Sequence, residues 1–219
     1  MTLIFNAGSE LELKIIGNFP QVIDSDTEQL FEENGKMIEE DKFQSVPESG
    51  FSVKIKKSIK LTDTLSSFMT PHSPIISERL VEFLQSFSIP SYKLIPLNVY
   101  RVKELVTEKK YFIMHFYGND ILNVDFQKST FDYLTGGAFL DKSLLKFDSF
   151  DDYMKKLNNN EVKFSIIKNA VMKPTLKNDL FFLGLLRGSA TFITQPLKEA
   201  MEKEKITGFK FVEIGHVED

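Results

Sequence analysis

Two stretches of the chain, IISERLVEFLQSFSIPSYKLI at 75–95 and FITQPLKEAMEKEKITGFKFV at 192–212, carry the fold prediction. A shift of 117 residues aligns them without a gap, and it places Ser77 and Thr194 together at the position of a helix N-cap. Other aligned pairs are Ile76 with Ile193, Leu80 with Leu197, Glu82 with Glu199, Ile89 with Ile206 and Lys93 with Lys210. Both stretches predict a capped amphipathic helix followed by a strand. Either the unit is duplicated, or two ordinary helix–strand units share a few residues.

Helices and strands are interleaved along the chain without a regular βαβ alternation. Helices are predicted at 77–87, 149–157 and 195–205. Strands are predicted at 51–57, 92–100, 110–118, 121–126, 162–168, 179–186 and 209–214, with two short strands within 2–23. We therefore expect an α+β fold, with a mixed or antiparallel sheet and a few packing helices.

A Ser/Thr-rich segment at 62–73 is the best internal boundary, because prolines and small polar residues interrupt the strand and helix patterns there. It separates an expected N-terminal subdomain, residues 1–70, from an α+β domain, residues 71–219. Because the segment is short, we expect both parts to form one compact unit.

Composition narrows the class of protein. The 219 residues carry a formal net charge of −4, with 24 Lys, three Arg and no Cys. Nucleic-acid binding relies on clustered cations, and arginine is the usual ligand of phosphates, so we expect no nucleic-acid partner. The absence of cysteine excludes disulfides and thiolate chemistry within this sequence. With no basic leader and no long apolar run, we expect a cytoplasmic protein without a membrane partner.

The sequence contains none of the patterns GxSxG, GxxxxGK[ST] or GxGxxG. His115 lies in a predicted strand, where we expect an exposed or hydrogen-bonded side chain, and no two histidines have the spacing of metal ligands. Asp148, Asp151 and Asp152 gather at a predicted helix start, where carboxylates favour the helix dipole. We expect no enzyme activity, no metal and no cofactor.

Several segments, taken in order, resemble a bacterial family predicted to be immunity proteins of polymorphic-toxin systems. The C-terminal segment shows an apolar strand, a cap at Ile193 and Thr194, a helix, and the ending ITGFKF at 206–211. The middle segment ILNVDFQKSTFDY resembles the family's Asp-x-x-Lys-Ser-x-Phe motif, here Asp125, Lys128, Ser129 and Phe131. The resemblance covers about residues 72–219, and residues 1–70 lie outside it.

The resemblance implies that the chain binds a cognate protein toxin and neutralises it by steric or electrostatic blocking. Loops on a rigid scaffold commonly carry recognition, so the interface is predicted at 135–152. The predicted partner-binding residues are Phe139, Phe147, Asp148, Asp151 and Asp152. Burial of these phenylalanines in the core is the alternative. An enzyme that uses carboxylates and His115, and a non-catalytic oligomeric scaffold, are the alternative functions; the homo-oligomeric state stays open.

Overall fold

The computed structural model describes residues 1–26, 50–67, 73–117, 120–133, 143–159, 161, 165–183 and 191–218. Its helices are α1 (Leu13–Ile16), α2 (Glu78–Leu84), α3 (Phe150–Asn158) and α4 (Gln195–Lys203), with a 3-10 turn at Ile121–Asn123. Within these ranges, no helix has the length and apolar character that a bilayer crossing requires.

Strands make up the larger part of the described structure. They are β1 (Thr2–Ser9), β2 (Val22–Ser25), β3 (Phe51–Ile55), β4 (Thr64–Leu65), β5 (Ile75–Ser77), β6 (Tyr92–Arg101), β7 (Glu104–Leu105), β8 (Tyr111–Phe116), β9 (Thr130–Tyr133), β10 (Ser143–Leu145), β11 (Ser165–Met172), β12 (Leu180–Phe181), β13 (Phe192–Thr194) and β14 (Phe209–Val217). Because they form mixed sheets with a few helices, the expected α+β class is confirmed.

The first sheet has the order β2-β3-β6-β8-β5-β4, and β7 pairs with β6 beside it. Strands β3 and β6 run parallel, and the other neighbouring strands of this sheet run antiparallel. The second sheet has the order β10-β9-β11-β14-β1-β13-β12, with β11 and β14 parallel. If β10 is left out, each strand of the first sheet has a counterpart at the same place in the second, from β2 and β9 at one edge to β4 and β12 at the other.

The correspondence supports the duplication, because strand register is repeated as well as strand order. In the first sheet Thr64 pairs with Ile76, and in the second Leu180 pairs with Ile193. The helix that follows β5 starts at Glu78, and the helix that follows β13 starts at Gln195, which again is a shift of 117 residues. We call residues 75–101, together with the first sheet, the first repeat. Residues 192–217, together with the second sheet, are the second repeat.

The same pair of hydrogen bonds occurs in both repeats. In the first, Ser77 donates its backbone N–H to the Asp63 carbonyl at 2.8 Å and its hydroxyl to Asp63 Oδ1 at 3.1 Å. In the second, Thr194 makes the same two bonds to Asp179, at 2.8 and 3.0 Å. The aligned residues Ser77 and Thr194 thus connect the start of each helix to the residue that precedes the outermost strand of its sheet, β4 or β12.

The chain divides into two compact units. One unit comprises Met1–Ala7, Asn119–Glu199 and Phe211–Asp219, and the other comprises Gly8–Gly118 and Ala200–Lys210. The boundary expected between residues 70 and 71 falls within 68–72, which lie outside the described residues. That boundary, and the packing of the whole chain as one compact unit, stay predictions.

Each unit has its own hydrophobic core. The core beneath the first sheet is mostly aliphatic, with Val53, Ile95 and Ile113 at its centre. The other core is rich in aromatic rings: Phe126 and Phe131 stack with ring centroids 5.5 Å apart beside Tyr153. Each fully buried ring or branched side chain of this size stabilises the fold by about 2 kcal/mol.

Asp63 is the centre of the polar contacts in the first repeat, and its side chain is fully buried. Besides Ser77, it accepts bonds from Thr207 N and Oγ1, both at 2.9 Å, from Arg79 Nη1 at 3.1 Å and from Lys109 Nζ at 3.3 Å. Burial acts to raise the pKa of Asp63, but the Thr207 bonds and the charge of Lys109 outweigh it and hold the pKa below its ordinary value.

We expect Asp63→Asn to lower the free energy of unfolding by about 2 kcal/mol near neutral pH, because it leaves buried donors without a charged acceptor. Since the folded pKa is depressed, this stabilisation is present above about pH 4 and is lost as the pH falls below it. Urea denaturation at pH 7 and pH 3 measures both effects.

Asp24→Asn is the matched control, because the Asp24–Lys54 ion pair is exposed to solvent and such pairs contribute little. Equal losses for the two variants, or an unchanged pH dependence in Asp63→Asn, would contradict the role given to Asp63.

Candidate partner-binding surface

The two faces of the first sheet differ in burial. On β3 and β6 the residues that face the core are buried, for example Val53 and Val99, whereas Ser52, Lys54 and Tyr100 on the opposite face are exposed or half-buried. Helix α2 contacts β5, which lies near the opposite edge of the sheet from β2 and β3. The part of the polar face formed by β2, β3, β6 and β7 is therefore accessible.

A row of side chains crosses this accessible part. The register pairs Asp24 with Lys54, Lys54 with Tyr100, and Tyr100 with Leu105, and paired residues of neighbouring strands project to the same face. Lys54 and Asp24 form an ion pair. We name this surface, together with the turn between β6 and β7, the hairpin face. Its residues are Asp24, Lys54, Tyr100, Val102, Lys103 and Leu105.

The turn of the hairpin places Val102 in an unfavourable backbone conformation. Arg101 pairs with Glu104, so Val102 and Lys103 form a two-residue turn. Val102 has φ 63°, in the left-handed region that suits Gly or Asn and that a β-branched residue rarely adopts. Its side chain is nevertheless 60% exposed. A strained residue with no packing role here is a sign of functional use.

Two clefts flank this hairpin. One has a volume of about 440 Å³ and is lined by residues that include Asp26, Ser52, Tyr100, Val102 and Lys103. The other, of about 370 Å³, is lined by residues of β6, β7, β8 and the segment between β7 and β8, which include Pro96, Asn98, Leu105, Lys110 and Phe112. The hairpin thus presents exposed apolar side chains between two concave surfaces.

Charged groups surround the apolar tip. Lys103 makes no ion pair with any part of the chain that the structure describes, and Arg101 pairs with Glu108 at 3.5 Å. Arg101 Nε is buried without a hydrogen-bond partner in that part of the chain. An apolar centre with a charged rim is the usual composition of a protein–protein interface.

The sequence-based interface residues lie on other elements, in the unit that contains α3. Phe139 lies outside the described residues. Phe147 is 1% exposed, and its ring packs edge-on against Phe131 and Tyr153, with centroids 5.1 Å apart in both cases. Burial in the core was the alternative for this ring, and the structure shows it buried.

The three aspartates occupy the start of α3 as the sequence indicated. Ser149 caps the helix by accepting the Asp152 N–H at 3.1 Å. Asp152 accepts from Lys156 Nζ at 2.8 Å, a hydrogen bond that holds the pKa of Asp152 below its ordinary value. Asp148 and Asp151 are exposed, so both remain available to a partner. Their binding role stays a prediction.

His115 is fully buried in β8, and its Nδ1 lies 3.1 Å from the hydroxyl of buried Ser73. The Tyr117 ring packs edge-on against the imidazole at 5.3 Å. His115 is therefore a hydrogen-bonded strand residue, one of the two environments expected for it. In the described ranges, no three His, Asp or Glu side chains come together as a metal site would require.

Sequence reasoning missed the hairpin face because its turn lacks the usual turn residues. The segment YRVKEL at 100–105 has no Gly, Asn or Asp, so nothing in it predicts a two-residue turn. The available signal was the alternation of apolar Leu97 and Val99 with Asn98 and Tyr100, which indicates a strand with one exposed face.

Val102→Asn is expected to raise the free energy of unfolding by about 1 kcal/mol, because Asn tolerates positive φ better than Val. Thermal and urea denaturation measure the change. Lys103→Asn is the control, and we expect little change from it, since its φ is not positive. A destabilised Val102→Asn variant would show that the Val102 side chain supports the fold.

Phe147→Ala is expected to lower the free energy of unfolding by about 3 kcal/mol, as for other buried phenylalanines. Partner affinity, measured below the unfolding transition, should stay unchanged because the ring has no exposed surface to offer. A loss of affinity with full stability would instead restore Phe147 as a contact residue.

No protein-family model matches the chain, and no curated protein matches it as a relative. Function is therefore inferred from the residues and contacts of this chain.

Proposed function

We propose that the protein is a cytoplasmic immunity protein that binds a cognate bacterial toxin domain and neutralises it by blocking its active site or its access to substrate. Two kinds of support are available. Residues 72–219 resemble a family of predicted immunity proteins, and the first sheet carries an accessible face suited to a protein partner. The observation that carries the proposal is the strained, exposed Val102 at the lining of a cleft on an accessible sheet face.

The residues behind the resemblance have structural roles. Thr194 precedes α4 and donates its hydroxyl to Asp179, Thr207 donates to buried Asp63, and Gly208 lies against Thr64, where a Cβ atom would come within 2.4 Å of the carbonyl oxygen. Ser129 accepts the Val171 N–H at 2.9 Å. These residues specify the scaffold, and a family of binding proteins with different partners would need its specificity elsewhere.

The hairpin face has the features of a recognition surface. Tyr100, Val102 and Leu105 supply apolar contact area near its centre, and tyrosine is one of the residue types that most often carry the binding energy of protein interfaces. Lys54 and Lys103 lie at its edge, where charges mainly affect association rate and choice of partner. The clefts beside the hairpin, of about 440 and 370 Å³, are large enough to accept side chains of a partner.

The test is binding to the toxin domain encoded next to this gene. We expect a complex that protects cells from the co-expressed toxin, and we expect Val102→Asp to weaken its affinity at least tenfold by burying a charge at the contact. Isothermal titration calorimetry measures the affinity, and growth of the co-expressing cells measures protection.

Leu122→Asp is the matched control, because Leu122 is as exposed as Val102, at 62%, and lies on the 3-10 turn of the other unit. Failure of the unmodified protein to bind or protect would contradict the immunity function. Equal affinities for the Val102 and Leu122 variants would contradict only the location. In the same assay, Asp148→Asn and Asp151→Asn test the sequence-based location.

A further inference from the structure

Strand β1 occupies an interior position of the second sheet, between β14 and β13. It runs antiparallel to β13, with Ile4 opposite Thr194 and Phe5 opposite Ile193. The Ala7 N–H donates to the Thr191 carbonyl at 2.9 Å, which extends the pairing by one residue. Residues near the N-terminus therefore complete a sheet that is otherwise built from 120–217.

The first repeat fills the same position with its own strand. There β8 lies between β6 and β5, antiparallel to both, with Tyr111 opposite Ser77 and Phe112 opposite Ile76. Ser77 and Thr194 are the equivalent cap residues, so Ile4 takes the place of Tyr111. In the first repeat this strand follows β6 after residues 102–110, whereas in the second it comes from residues 2–9.

The side chains of β1 are packed on both faces of the sheet. Ile4 is fully buried in the aromatic core. On the opposite face Phe5 is 9% and Ala7 4% exposed, and Lys198 of α4 places its Nζ 5.1 Å from the centre of the Phe5 ring. A strand held by pairing and by packing on both faces is expected to unfold only with the sheet as a whole.

We propose that β1 is the closing strand of the second repeat, carried at the other end of the chain. The slot between β13 and β14 is then a binding site for an extended segment with apolar side chains at the positions of Ile4, Phe5 and Ala7. The side chains of that segment are required to complete the second sheet, whereas its covalent connection to α1 is not.

A circular permutant tests this directly. It begins at residue 10, continues to 219, and rejoins residues 1–9 through a nine-residue Gly/Ser linker, the length of the 102–110 connection. We expect a native circular dichroism spectrum and a urea midpoint within about 0.5 M of the natural chain. The same permutant with Ile4→Asp and Phe5→Asp should lose the cooperative transition, because both substitutions place charges in the slot.

A permutant that fails to fold with nine-residue and eighteen-residue linkers would overturn the proposal. A permutant that folds equally well with both Asp substitutions would also overturn it, because the strand would then be outside the slot.

Hydrogen exchange of the natural chain gives a second measurement that needs no variant. We expect the amides of residues 4–7 to exchange within about tenfold of those of residues 111–114 in β8, since both segments open with their sheets. Exchange at residues 4–7 more than about a thousandfold faster would show a fraying terminus and would overturn the proposal.

Discussion

The buried carboxylate of Asp63 is the interaction on which the first repeat depends. A carboxylate without exposed surface is tolerated only where hydrogen bonds and nearby cations replace water. Here Ser77 and Thr207 supply the bonds, and Arg79 and Lys109 supply the charge. One side chain thus connects the edge strand, the start of α2 and the turn before β14. The second repeat keeps the Asp179–Thr194 part of this arrangement, so the shared bonds serve the architecture.

The fold class and the two main helices could be predicted, because hydrophobic periodicity and hydroxyl caps are local signals. Ser77 and Thr194 stand at the helix starts they were expected to cap. The strand predicted at 121–126 is wrong: Ile121–Asn123 forms a 3-10 turn, and Val124 makes only an isolated bridge to Met172, because a short apolar run does not by itself specify a strand. Strand order, and the placement of β1 beside β14, depend on contacts between distant residues that no local pattern reveals.

The candidate surface was harder to predict than the fold. Phenylalanine and aspartate in a polar segment are reasonable interface residues, but burial decides their role, and Phe147 lies in the core. Val102 carries no chemical signal in the sequence, because its significance comes from a positive φ and from its exposure beside a cleft. The residues that resemble the immunity family support the scaffold, whereas the hairpin face is where we place partner recognition.

The most direct test of the proposed recognition surface is side-chain oxidative footprinting of the protein with and without the proposed toxin partner. If the hairpin face binds the partner, Tyr100, Val102 and Leu105 become protected from oxidation in the complex, while exposed Leu122 and Val212 keep their reactivity. Protection confined to residues 143–158, or unchanged reactivity at the hairpin face in a stable complex, would contradict it.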